Sequence, residues 1–388
     1  MLGTFPELSA AEISAVLRLP ENNSIFKPPF FVVSGQDLNP DELIRRLGGT
    51  VKIAHGSFTA TDEDDLVNQI SANLSGISGK IVFGISDYST RARESKFSEK
   101  IGKAVKKILK EHGLSVRYVF NREPVLSSVT VQKNGLTGRG REFIITHEGD
   151  EFFVAQTIAV QPFEEWGQRD YGRPERDDVS GMLPPKLARI MLNLSGAKDG
   201  EIILDPFCGS GTIISEALSL GLDNLIGTDK SDKAIADSKT NIDWLTARHP
   251  EYASKKIDIS VCDIIDLPRR IGSATVDAVI TEPFLGKPMR GNETIDEIKK
   301  QAGELTNFYR ETITALKKML KKGGRLVMVI PRFRVRNDWV TLELSSHLGQ
   351  VGFTVEPLLK TENRTFDSLL YMRPNQRVGR EIWRFRKD

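Results

Sequence analysis

Ile203-Leu204-Asp205-Pro206-Phe207-Cys208-Gly209-Ser210-Gly211-Thr212 packs a strand end, an acid, a glycine-rich turn and a helix start into ten residues. The apolar run Ile202 to Leu204 reads as a buried strand, and Gly209 and Gly211 permit φ > 0 or close approach of the backbone to a ligand. A helix is expected from Thr212 to about Leu220, with Gly221 as its stop signal. The spacing matches neither the G-x-G-x-x-G of dinucleotide sites nor the G-x-x-x-x-G-K-[ST] of phosphate loops. A nucleotide-like cofactor site of another kind is therefore expected here.

Outward from this turn, Glu201 to Leu204, Leu225 to Thr228, Ile257 to Val261, Val276 to Thr281 and Arg325 to Ile330 read as strands separated by helical segments. Such alternation predicts a parallel sheet with helices on both faces. Glu293 to Lys322 reads as a helix stopped by Gly323-Gly324. Gly352 to Val355 and Ser368 to Tyr371 read as an antiparallel pair closing the sheet edge. The first 160 residues have a different grammar. Short strands are expected at Phe30 to Val33, Val51 to Ala54, Ile81 to Ile85, Val116 to Phe120, Ser127 to Val131, Phe143 to Thr146 and Phe152 to Ile158. Helices are expected near Asp41 to Leu47, Asp62 to Leu74 and Lys96 to His112, giving an α+β module separate from the α/β half. The expected organisation is thus 1–160, a Pro-rich ordered linker 161–185, and 186–388.

At 388 residues two domains are expected, and 54 basic against 52 acidic residues leave a net charge of only +2. A nucleic-acid partner then needs a local basic face. Besides the linker arginines Arg169, Arg173 and Arg176, which read equally as ion-paired with Asp170, Asp177 and Asp178, two candidates are the lysines 100, 103, 106, 107 and 110, in helical register, and the basic, aromatic-interleaved stretch Arg377 to Lys387. Each reads equally as a solvated face. No run approaches the ~18 apolar residues of a membrane span, and Met1 to Pro20 lacks the apolar core of a secretory signal. Cys208 and Cys262 are too few for a disulfide framework or a four-ligand zinc site, and read as reduced thiols of a cytoplasmic protein with no metal.

In an open parallel sheet, ligands sit at the carboxyl ends of the strands near the switch point, so acids there are the candidates for cofactor contacts. Asp205 could receive a cofactor amino group or brace the turn. Asp229 could accept ribose hydroxyls, since Ser231 is better placed than Asp229 to cap the following helix. Asp263 could meet an adenine amino group, with Ile264 as an apolar wall. Pro206, Phe207, Cys208, Gly209, Gly211, Thr212 and Lys230 complete the candidate cofactor set.

The fourth strand end is Val279-Ile280-Thr281-Glu282-Pro283-Phe284-Leu285-Gly286. An exocyclic amine is a poor nucleophile because its lone pair is delocalised into the ring. Acceptors that hold its hydrogens turn that lone pair outward, and a carboxylate can take the proton released. Glu282 is the candidate acceptor and base, the Pro283 carbonyl a second acceptor, and Phe284 the stacking face. Glu282 could alternatively tie down the strand end.

Asp205 to Thr212 resembles the first motif of S-adenosylmethionine-dependent methyltransferases. The chain as a whole resembles the THUMP-domain RNA methyltransferases, most closely the tRNA guanine-10 N2-methyltransferases of archaea and eukaryotes. The marks are Gln161-Pro162-Phe163, Arg169-Asp170-Tyr171-Gly172-Arg173-Pro174, Gly181-Met182-Leu183-Pro184-Pro185-Lys186-Leu187-Ala188, Leu47-Gly48-Gly49-Thr50-Val51-Lys52 and Pro124-Val125-Leu126-Ser127-Ser128. The resemblance implies a Rossmann-like methyltransferase domain preceded by a ferredoxin-like and THUMP RNA-binding region. It further implies S-adenosyl-L-methionine as methyl donor, tRNA as partner, and methylation of a guanine N2 by direct in-line transfer. Where that family has Asp-Pro-Pro-Tyr-Gly, this chain has Glu282-Pro283-Phe284-Leu285-Gly286, which leaves the choice of base and the degree of methylation open. Ribosomal RNA guanine, DNA adenine N6 and a non-catalytic tRNA-binding role remain alternatives. A small activating subunit is left open, and a monomer is the default expectation.

Overall fold

The protein is described here by a computed structural model covering residues 1–19, 23–35, 37–89, 96–149, 151–176 and 182–388. Helix α1 (Pro6–Leu17) starts with a proline in the first turn, where a missing N–H costs nothing, and is followed by the hairpin of β1 (Ser24–Lys27) and β2 (Phe30–Val33). The Asn39 side chain accepts from the Asp41 and Glu42 N–H groups to start α2 (Pro40–Arg46). There follow β3 (Lys52–Ala60), α3 (Glu63–Ser75), β4 (Ile81–Asp87), α4 (Lys96–Glu111), β5 (Val116–Val119), α5 (Ser128–Lys133), β6 (Arg141–Glu148) and β7 (Glu151–Val160). These strands form one sheet in the order β3-β7-β6-β4-β5, with α3 and α4 covering a face around Leu66, Ile70, Phe83, Ile101 and Phe143.

Ser127 to Val131 is helical, not a strand. The alternating valines mimic strand periodicity, but the Ser127 hydroxyl accepts from the Thr130 N–H at 3.1 Å and caps α5, an interaction worth about 1 kcal/mol. The two sequence marks of this half meet in its interior. Lys52 Nζ donates to Glu142 Oε1 at 2.5 Å and to the Leu126 carbonyl at 2.7 Å, with both charged groups buried.

The linker carries α6 (Phe163–Tyr171), whose buried Trp166 lies under the Arg169 guanidinium at 4.3 Å and near Arg189 of α7 (Pro185–Ser195). Then come β8 (Ile203–Asp205), α8 (Thr212–Ser219), β9 (Leu225–Asp229), α9 (Asp232–Arg248), β10 (Ile257–Val261), α10 (Leu267–Ile271), β11 (Val276–Thr281) and α11 (Ile295–Met319). A Thr294–Glu297 capping box opens α11. The chain ends with β12 (Leu320–Val335), β13 (Asp338–Thr341), α12 (Ser345–Gln350), β14 (Phe353–Val355), the hairpin β15 (Leu359–Thr361) and β16 (Arg364–Phe366), β17 (Ser368–Tyr371) and β18 (Val378–Lys387). The large sheet runs β10-β9-β8-β11-β12-β18-β14, its first five strands parallel, and the order reverses between β8 and β11.

Two expectations fail in this half. Gly323 and Gly324 do not stop the helix: α11 ends at Met319, and the glycines lie in a bulge of β12, where the register jumps from Val276↔Leu320 to Ala278↔Arg325. Phe353–Val355 and Ser368–Tyr371 do not pair with each other. Both pair antiparallel to β18, which lies between β12 and β14.

The N-terminal stretch is not fully separate from the α/β half either. Leu8, Ala10, Ala11 and Ile13 of α1 share one core with Leu187, Met191 and Leu194 of α7 and with the sheet beneath. Buried Glu12 accepts from the Gly48 and Gly49 N–H groups, each at 2.8 Å, and from Asn193 Nδ2 at 2.7 Å. Gly48 is required by contact: a Cβ there would fall 2.4 Å from the Lys186 carbonyl oxygen. Among the described residues no helix is long and apolar enough to cross a membrane.

Candidate active site

The reversal between β8 and β11 lines up four acids on the carboxyl edge, following β10, β9, β8 and β11 in spatial order. Asp205 is 1% exposed, and its Oδ1 accepts from the Phe207 N–H at 3.2 Å and from the Thr281 hydroxyl at 2.8 Å. Burial pushes its carboxyl up to about 7 against those two bonds, and the nearby Asp229 and Glu282 carboxylates add to the rise. Asp229 is half-buried. One of its oxygens accepts from the Gly209 N–H at 3.2 Å and the other from the Ser231 N–H at 2.9 Å, while the Ser231 hydroxyl caps α9 as expected. The acid of β9 thus ties together the glycine turn after β8 and the start of α9.

Gly211 sits at φ +83°, and a Cβ on it would fall 2.4 Å from the Ser238 hydroxyl of α9. Gly211→Ala should therefore force α9 away from the turn. We expect a loss of about 1–3 kcal/mol in thermal or denaturant unfolding, accompanied by weaker cofactor binding. Wild-type stability in that variant would show that the turn can relax without moving α9.

The remaining cofactor candidates divide by burial. Pro206 and Cys208 are buried, and burial together with Asp205 and Asp229 pushes the Cys208 thiol far up, which disfavours a nucleophilic thiolate. Phe207 is half-buried, its ring edge-on to Phe308 at 5.7 Å. The Thr212 hydroxyl accepts from Arg173 Nη1 at 2.7 Å. Lys230 and Asp263 are exposed, Asp263 accepting from the Ile265 N–H at 3.0 Å. Ile264 is buried in the core with Leu204 and Leu267, while Ile265 is exposed.

Glu282 follows β11, and its carboxylate is gripped on both oxygens by Arg380 of β18, with Nε to Oε2 at 2.5 Å and Nη2 to Oε1 at 3.1 Å. Both side chains are largely buried. Burial pushes the Glu282 carboxyl up, and the guanidinium pulls it back without cancelling the rise. Pro283 is buried and Phe284 is 58% exposed. The Tyr309 hydroxyl, inside α11, lies 3.4 Å from the Phe284 carbonyl and 3.3 Å from that of Val329, so it props the turn from below. Sequence reasoning missed Tyr309, Arg380 and the bond from Thr281 to Asp205. Arg380 lies 98 positions from Glu282, with no local signal joining them.

The basic stretches are largely spent on internal contacts. Lys100, Lys103 and Lys107 of α4 pair with Glu63, Glu99 and Glu111. Arg169 pairs with buried Glu216, Arg173 is buried, and Arg176 lies over Tyr171. Arg384 and Arg386 both reach Glu356. The linker acids Asp177 and Asp178 and the motif residue Gly181 lie outside the described residues. Among the described residues no group of three or more His, Cys, Asp or Glu is arranged to hold a metal ion.

Known proteins bear on this geometry. The family described as an RMKL-like methyltransferase domain, UPF0020, matches residues 173–343. The chain is 32% identical over 186 residues to the tRNA (guanine(10)-N2)-dimethyltransferase of Methanothermobacter thermautotrophicus, covering 47% of this chain and 48% of that one. It is 30% identical over 159 residues to a "Probable tRNA (guanine(10)-N2)-dimethyltransferase" of Methanothermococcus thermolithotrophicus, covering 41% of this chain and 87% of that one. The match thus spans about half the length of the Methanothermobacter protein. In fold, the chain is similar along its whole length to TrmN from Thermus thermophilus, at a TM-score of 0.57 and 16% identity, covering 98% of that structure. The α/β half therefore has the Rossmann-like methyltransferase fold.

Proposed function

The chain belongs to the RNA methyltransferase family of the tRNA (guanine(10)-N2)-dimethyltransferases, and from that premise we propose that it methylates the exocyclic N2 of a guanine in tRNA, at position 10. The observation that carries this reading is Glu282: a buried carboxylate fixed at the end of β11, beside an exposed aromatic ring and one strand from the glycine turn. We assign residues 1–160 to RNA binding and 186–388 to catalysis.

The donor set fits S-adenosylmethionine. Asp205 is a buried acid whose hydrogen-bond partners among the described residues include no cation, which suits an ammonium group. Asp229 keeps lone pairs for ribose hydroxyls beyond the two it uses on backbone N–H groups. When bound, that cofactor supplies an electrophilic methyl group on a sulfonium. Glu282 would accept hydrogen from the guanine N2 amine, turn its lone pair outward and take the proton released as the new N–C bond forms. The Phe284 face would hold the base flat against the site, and the Pro283 carbonyl would offer a second acceptor. Orienting the amine in this way lowers the barrier independently of base strength.

The deciding experiment is incubation of the purified protein with unmodified tRNA transcripts and S-adenosylmethionine, followed by nucleoside mass spectrometry and site mapping. N2-methylguanosine or its dimethyl form at position 10 is the expected product. Methylation elsewhere would move the substrate, and none at all would favour a second reading, a non-catalytic RNA-binding role. One observation supports that second reading: both Glu282 oxygens are already held by Arg380.

Asp205 gives a pH test of the cofactor site. Its carboxyl is neutral below about pH 7 in the free protein, and an ammonium group requires it ionised. Cofactor affinity should therefore fall, by up to about tenfold per pH unit, as pH drops from about 7 to 5.5, and Asp205→Asn should remove that dependence. Calorimetric titration across this range checks it; a flat wild-type profile would take the ammonium away from Asp205.

A further inference from the structure

β12 outruns its neighbour. Thr281 at the end of β11 pairs with Met328, yet β12 continues to Val335, an overhang of about 20 Å past the carboxyl edge of the sheet. β13 folds back on it, with Arg332↔Thr341 and Val335↔Asp338, and the start of β18 covers its other side, with Phe333↔Val378. Arg334 secures the adjoining 373–377 turn: its N–H donates to the Arg377 carbonyl at 2.8 Å, and its Nη2 to the Pro374 and Gln376 carbonyls at 2.7 and 3.0 Å. The 286–294 loop closes the third side. A Cβ on Gly291 would fall 2.4 Å from Arg377 Nη2, so that guanidinium lies across this loop. Two residues along β18 from Val378 stands Arg380, the partner of Glu282. Hairpin, turn and loop therefore form a rim built on the strands that hold the site.

This rim gathers exposed basic groups around the site. Lys287, Arg290, Arg336, Arg373 and Arg377 are exposed, and none makes an ion pair among the described residues. The α4 lysines, by contrast, are largely neutralised by acids. Glu293, within the 286–294 loop, accepts from the Arg290 and Gly291 N–H groups and feels the Arg377 charge without a direct ion pair to it. Trp339 stands 40% exposed on β13, its ring held by the Arg332 guanidinium at 4.6 Å from the ring centre. Unpaired guanidinium forks suit phosphodiester oxygens, and an exposed, braced indole suits an unstacked base.

We propose that this rim, the β12–β13 hairpin with the 286–294 and 373–377 loops, grips the RNA backbone on either side of the target base, with Trp339 stacking on a neighbouring base. The proposal rests on the RNA reading above. Bound phosphates on the rim would hold the strand while the target base reaches Glu282, so the α/β half carries its own RNA contact surface.

The test uses the full chain, an unmodified tRNA transcript as probe, and affinity measured between about 50 and 200 mM salt. Removing three phosphate contacts with Arg336→Ala, Arg373→Ala and Arg377→Ala together should weaken binding more than tenfold at the low end. It should also flatten the slope of log affinity against log salt by about 2, while cofactor affinity stays at the wild-type value. Trp339→Ala should weaken binding by about fivefold or more with the slope unchanged. A wild-type slope in the triple variant, or flattening only when Lys100, Lys103 and Lys107 of α4 are changed to alanine, would overturn the proposal. Methylation by the wild-type protein is measured in parallel. Its absence together with absent tRNA binding would overturn the RNA reading itself, whereas an active wild type with an unaltered triple variant overturns the rim alone.

Discussion

Glu282→Gln should lower the rate of methyl transfer by about two to four orders of magnitude, the range expected when a positioned proton acceptor is lost, and leave cofactor and tRNA binding near wild type. Glutamine keeps the length of the side chain and a hydrogen bond to Arg380, so the strand end should hold its shape, while the guanidinium left without its counter-charge should lower stability. What disappears is the negative charge that can accept a proton. Single-turnover methylation with saturating cofactor measures the chemical step directly. A variant that methylates at the wild-type rate would reduce Glu282 to a tie for β18, and the acceptor would have to be sought among backbone carbonyls such as that of Pro283.

Arg380→Met should have a second large effect, on stability and on pH together. Removing one partner of a buried ion pair leaves the other charge uncompensated, at a cost of about 3–5 kcal/mol. The Glu282 carboxyl already lies above its ordinary range through burial, and Arg380 is the group pulling it back. Asp205 at the end of β8 is the acid whose carboxyl the Glu282 charge pushes up, and Tyr309 on α11 is the hydroxyl facing it from below. Without Arg380, Glu282 is held further above its ordinary range and stays protonated to higher pH. The acidic limb of the pH–rate profile should thus shift to higher pH, with activity partly recovered in alkaline buffer. The double variant Glu282→Gln, Arg380→Met should regain most of the stability lost by Arg380→Met alone, because no buried charge is left unpaired. Equal losses in the single and double variants, with an unmoved profile, would show that Arg380 acts only through packing.

The central parallel strands were legible because they are buried on both faces and read as short apolar runs. Val276–Thr281 falls where such a run predicts it, while the edge strand Ile257–Val261 was legible through its alternation of apolar and polar residues. The turn at Asp205 to Gly211 was legible for a different reason: backbone that needs positive φ advertises itself through glycine. What failed was decided by non-local contacts. Gly323-Gly324 looks like a helix stop because a bulge and a stop ask the same freedom of the backbone, and only the pairing of Leu320 with Val276 distinguishes them. Arg377 to Lys387 looks like an exposed basic strand until β12, β14 and β17 are seen to flank it, and then its arginines become partners for Glu282 and Glu356.

The position of α1 has a consequence for biosynthesis. Its apolar residues Leu8, Ala10 and Ile13, and one of the three hydrogen bonds to Glu12, find partners on α7, which is translated only after the entire five-stranded sheet and α6. The intervening sheet has its own core and can close while the ribosome is still at work. The apolar face of α1 therefore stays without its α7 partners through that interval, and its docking has to wait for a half of the chain made much later.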